Sequence, residues 1–132
     1  MTTVTATIGS EPVVLDSSGW LEFLTLDTKA DSFAHYLEGN ATILIPTIVL
    51  YEVRKVLLLK EGKTAADIFF SEALRRIIVP FDEPVALLAT KLSIDHKLSM
   101  ADSIIYATAR HHQAQLITSD AHFTNLPGVT VL

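Results

Sequence analysis

The sequence predicts an α/β/α sandwich with a mostly parallel central sheet, and three features carry that prediction. Short apolar runs without polar alternation recur along the chain, as strands covered on both faces require. Segments of helical spacing separate them, so strand and helix alternate. A chain of 132 residues has room for one core and no second one of ordinary size.

Taken in order, Val13-Val14-Leu15 opens the pattern as the first strand. Helical segments Ser18 to Leu26 and Ala30 to Glu38 follow, and Gly39 stands where a helix C-cap belongs. Ile43-Leu44-Ile45 is the second strand, and Thr47 to Lys60 the third helix, closed by Gly62. Thr64 to Arg75 is the fourth helix, with Thr64 and Asp67 spaced as a capping box. Ile77-Ile78-Val79 reads as another strand buried on both faces. Asp82-Glu83-Pro84 puts an acid and a proline in the first turn of a helix running to Lys97. Ser99 and Asp102 form a second box at the start of Met100 to His112. Leu116-Ile117-Thr118 is the fourth strand, and Val129 to Leu132 suits an edge strand. The whole chain, 1–132, is expected to form a single domain, with a polar lead from Met1 to Pro12.

Composition narrows the function. Hydrophobic residues make up 49% and mean hydropathy is +0.38, which excludes a disordered chain and leaves apolar surface for an interface. Without a single cysteine, disulfides, thiolate metal sites and thiol catalysis are all excluded, and a cytoplasmic location is expected. The lead carries no Lys or Arg and no apolar core, so it does not read as a secretory signal. No apolar run exceeds five residues, so no membrane span is expected. The formal net charge of −5 argues against broad binding to duplex nucleic acid.

The acids then become informative. Asp16 directly follows the first strand and Asp120 the fourth, so both stand at carboxyl ends of parallel strands, where ligands of such folds collect. Asp102 lies in a helix's first turn. Glu52 lies beside the apolar stripe of Ile48, Val49 and Val56. Gathered at one edge these carboxylates repel and raise each other's pKa unless a cation neutralises them, and hard oxygen ligands select Mg²⁺ or Mn²⁺. Each also has a plainer reading: Asp16 and Asp120 as caps or turn formers, Asp102 as the partner of Ser99, Glu52 as an ion pair with Lys55.

Four segments add weight to the ligand reading. Val13-Val14-Leu15-Asp16-Ser17-Ser18, Pro46 to Val53 with Glu52, Leu98 to Ala109 with Asp102, and Leu116 to Phe123 with Asp120 resemble the motifs of PIN-domain ribonucleases, in particular the VapC-type toxins of toxin–antitoxin systems. The likeness runs in order from Val13 to Leu132; the one departure is the longer lead. The resemblance implies that Asp16, Glu52, Asp102 and Asp120 are the catalytic, metal-binding acids, with Ser17 and Thr118 as supporting hydrogen bonders rather than nucleophiles. It implies a PIN-like fold, an Mg²⁺- or Mn²⁺-dependent endoribonuclease acting on single-stranded or looped RNA and leaving 5′-phosphates, a homodimer, and a cognate antitoxin laid over helices near the site. Bound Mg²⁺ would offset most of the net negative charge.

Other chemistries fit less well. A phosphohydrolase with Asp16 as nucleophile needs a second Asp two positions on, where Ser18 stands. The five histidines, His35, His96, His111, His112 and His122, lack the helical zinc spacing and take no metal role in this reading. The rival from another class is a non-enzymatic α/β protein-binding module in which the acids are only helix caps. Metal binding at the acids separates the two.

Overall fold

The computed structural model describes residues 11–132, so most of the polar lead lies outside the described residues. Five strands form one sheet in the order β3-β2-β1-β4-β5: β1 Val13–Leu15, β2 Ile43–Pro46, β3 Ile77–Val79, β4 Gln115–Thr118 and β5 Val129–Val131. All four pairings are parallel. Central β1 sets Val14 beside Leu44 on one side and beside Leu116 on the other. Its three residues are all buried, as a run without polar alternation requires.

Six helices complete the order: α1 Ser17–Leu24, α2 Ala30–Leu37, α3 Thr47–Lys60, α4 Lys63–Leu74, α5 Glu83–His96 and α6 Met100–His111. The chain steps from β1 to β2 to β3 through α1 to α4, then returns through α5 and α6 to β4 on the far side of β1. Right-handed crossovers therefore put α1–α4 on one face and α5 and α6 on the other. Under the first face Trp20 of α1 meets Phe69 of α4 edge to face, with ring centroids 5.4 Å apart. Under the other, Tyr106 packs against Phe123 and its hydroxyl donates to the Pro127 carbonyl at 2.7 Å, tying down the tail before β5.

Three local expectations are corrected. β3 is an edge strand, with Ile77 52% exposed, because among the described residues no strand pairs beyond it; an apolar run alone does not tell an edge from a centre. Thr64 does not cap α4. The helix begins at Lys63, one residue after Gly62, whose φ of +103° closes α3 and opens α4 in a single turn. Asp67 instead pairs with Lys63 at 2.6 Å and with Arg54 of α3 at 3.0 Å. Gly39 follows the α2 C-cap residue Glu38 without a positive φ; a Cβ there would sit 2.7 Å from the His35 carbonyl oxygen, so close approach explains it. The other caps form as expected, Asp82 accepting from the Val85 N–H at 3.2 Å and Ser99 from the Asp102 N–H at 3.2 Å.

Candidate metal centre

The chain reverses its direction of travel across the sheet at β1 and β4, so the crevice outside their carboxyl ends is the topological switch point. Asp16 leaves β1 there and caps α1. Its Oδ1 accepts from the Gly19 N–H at 3.0 Å and from the Ser18 hydroxyl at 2.8 Å, while Oδ2 accepts from the Thr118 hydroxyl at 2.5 Å. The capping reading of Asp16 is thus correct and incomplete, since it engages one oxygen and leaves the other turned toward β4.

Thr118 links the two strand ends. Its Oγ1 donates to Asp16 and accepts the Asp120 N–H at 2.9 Å. Asp120 in turn caps a 3-10 turn, Ala121–Phe123, its Oδ1 accepting the His122 N–H at 2.9 Å. Asp102, one turn into α6, points its carboxylate at the same place. Oxygens of Asp102 and Asp120 and a ring nitrogen of His122 all lie within 4.8 Å of one another. On α3, Glu52 accepts from the Ser17 hydroxyl at 2.5 Å, which joins it to the residue next to Asp16. The ion pair with Lys55 does not form, and neighbouring Arg54 is engaged by Asp67. Of the expected acids, Asp102 and Asp120 lie together with Asp16 in their charge field, while Glu52 is joined to this edge only through the Ser17 hydroxyl.

Electrostatics records the crowding. Burial pushes the Asp16 carboxyl above its usual range, against the hydrogen bonds from Thr118, Gly19 and Ser18, and the charge of Asp120 adds to the rise. Asp102 is also raised, first by burial, then by Asp120, with a smaller contribution from Asp16. Burial is the larger cause for both groups, and the neighbouring carboxylates add to it, so Asp16, Asp102 and Asp120 share one charge field. An oxygen-rich cluster in which Asp16 and Asp102 resist ionisation fits a divalent cation.

Sequence reasoning set His122 aside with the other histidines and gave Ser18 and Ser119 no supporting role. Ser119 donates to the Ser18 hydroxyl at 3.2 Å, extending the network around Asp16. The available signal was local: His122 stands two after an acid and directly before Phe123, which is fully buried and pins the turn.

Strand order and acid edge define a doubly wound α/β domain with carboxylates collected at its switch point. The chain belongs to the PIN domain family, which it matches over residues 13–129. No curated protein matches it in sequence. Among solved structures it is similar to a toxin–antitoxin complex from Klebsiella pneumoniae, at 22% identity and TM-score 0.77, covering 90% of this chain and 96% of that one. VapBC2 from Rickettsia felis, bound to a DNA fragment from its promoter, is 19% identical with TM-score 0.71, covering 92% and 97%. VapC20 from Mycobacterium tuberculosis, a toxin cleaving the sarcin–ricin loop, is 17% identical with TM-score 0.65, covering 81% and 87%.

Proposed function

We propose that this chain is a divalent-metal-dependent endoribonuclease, the toxin of a toxin–antitoxin pair. The observation that carries the reading is the convergence of Asp102 and Asp120, with Asp16 in electrostatic contact, at the switch point of a PIN domain. The similar solved structures, toxin–antitoxin complexes and a toxin that cleaves an RNA loop, support it. A binding module with acids as caps gains nothing from drawing them together at an energetic cost.

In this reading Asp16, Glu52, Asp102 and Asp120 would hold Mg²⁺ or Mn²⁺. The bound cation supplies acidification of water near neutral pH and compensation of charge on the phosphate. The chain's own part is positioning. Thr118 holds Asp16 and the backbone of Asp120 in one frame, so the acids on β1 and β4 keep a fixed relation. The Ser17 hydroxyl orients Glu52 across the gap between α1 and α3. No cysteine is present and both hydroxyls are engaged as donors to carboxylates, which fits attack by water rather than by a protein nucleophile. The substrate would be single-stranded or looped RNA, as the resemblance to PIN-domain toxins implies and as the similar loop-cleaving toxin supports. The enzyme would act in the cytoplasm, as a homodimer controlled by an antitoxin.

The test is incubation of purified protein with structured RNA. Cleavage leaving 5′-phosphates is expected with Mg²⁺ or Mn²⁺ and none with EDTA, and Asp120→Asn prepared in parallel should be inactive. Equal cleavage by wild type in EDTA, with the variant preparation inert, would overturn the metal mechanism.

A further inference from the structure

The acid cluster contains a nitrogen. His122 Nδ1 lies 3.1 Å from Asp120 Oδ1 and 3.9 Å from Asp102 Oδ2, and this is the one group of its kind among the described residues. The contact does not arise from packing, since the His122 side chain is 79% exposed and free to turn outward. Nor does Asp120 Oδ1 need the ring as a donor, because it already accepts the His122 backbone N–H. What holds the residue in place is its backbone, set by the Asp120 cap on one side and by buried Phe123 on the other. Donors to a cation at bond lengths of about 2.1 Å stand about 3 Å apart when their bonds are perpendicular, close to the separation of Nδ1 from Oδ1.

From this geometry we infer that His122 is a nitrogen ligand of the cation site, and that it shifts the site's preference from Mg²⁺ toward borderline first-row metals. Carboxylate and water suit Mg²⁺ and Mn²⁺, whereas imidazole favours metals further along the divalent series, such as Ni²⁺ and Zn²⁺. A site of oxygens alone would rank Mg²⁺ and Mn²⁺ as its natural ions. With one imidazole among two carboxylates, the same position gains most for the metals that bind nitrogen well. The inference rests on the cation site proposed above and adds to it a determinant of metal choice.

Calorimetric titration of metal-free protein with NiCl₂ and with MgCl₂ tests it, using wild type, His122→Ala and Asp120→Asn. Wild type should bind Ni²⁺ more tightly than Mg²⁺. His122→Ala should lose at least about tenfold in Ni²⁺ affinity, the least ordinarily lost when even an outer partner of a ligand is removed, and keep its Mg²⁺ affinity within a few fold. Asp120→Asn should weaken both. If His122→Ala keeps the wild-type ratio of Ni²⁺ to Mg²⁺ affinity, the inference fails while the cation site stands. If Asp120→Asn binds Ni²⁺ as wild type does, the nickel sits elsewhere, as on His111 and His112, and the inference also fails. A wild type that binds neither metal removes the cation site itself and the nuclease reading with it.

Discussion

Asp102 separates the two readings of this acidic edge most sharply, because it belongs to a helix start and to a charge cluster at once. Its backbone N–H meets Ser99, as a cap requires, yet its carboxyl is raised by burial and by Asp120. A raised folded pKa means that, without metal, the ionised form is a burden present above that pKa and relieved as pH falls through it toward the ordinary 3.8. The same holds for Asp16. Metal-free wild type should therefore gain stability from these two groups on acidification through the window just above 3.8, and saturating Mg²⁺ should abolish that gain. Asp102→Asn should be neutral or stabilising in EDTA, gain less from Mg²⁺ than wild type, and lose cleavage. Were Asp102 only a cap, the substitution would cost about 0.3–1 kcal/mol and spare activity. Melting curves at several pH values, with and without metal, read both outcomes.

At the scale of elements, the site depends on how closely α1 sits against its neighbours. Gly19 gives Asp16 its cap N–H and faces Phe33 of α2, where an added Cβ would lie 2.7 Å from a ring carbon. Phe33 is fully buried and has no room to yield. Gly19→Ala should thus destabilise by about 1–3 kcal/mol through overpacking, despite alanine's better helix propensity, and should tilt α1 enough to disturb the Ser17–Glu52 bond. Gly62→Ala is the informative contrast. Nothing lies within 4 Å of its Cβ, so the cost there is backbone strain alone, about 1–3 kcal/mol at φ +103°. Denaturant melts should find both variants weakened, while RNA cleavage below the transition falls only for Gly19→Ala.

Over the whole molecule, apolar surface remains after the core is filled. Tyr51, Leu59, Ile68 and Leu74 stand exposed on α3 and α4, and Leu87, Ile94 and Met100 on α5 and at the start of α6. In the homodimer proposed above, exposed apolar side chains of this kind are what a second copy would cover. Light scattering at micromolar concentration should give about twice the 14.5 kDa chain mass, and a monomer throughout would remove the dimer. Among the described residues no helix is long and apolar enough to cross a membrane.

The strands, their order along the chain and the helix spans were legible within a residue or two, because unbroken apolar runs and helical spacing are local signals. So were the positions of Asp16 and Asp120, since a carboxylate after a strand in a parallel sheet has only one edge to occupy. Edge and centre were not legible: Ile77-Ile78-Val79 and Ile43-Leu44-Ile45 read alike, and pairing partners alone make the first exposed and the second buried. The Thr64–Asp67 spacing misled for a related reason, because Arg54 on another helix competes for the same carboxylate. Above all, tertiary structure decided which acids share a charge field and brought His122 among them. Helix-start chemistry depends on the nearest few residues and can be read from a string, whereas electrostatic coupling depends on distance in space. That distance is set by how α6 packs against β4, and no spacing in the sequence encodes it.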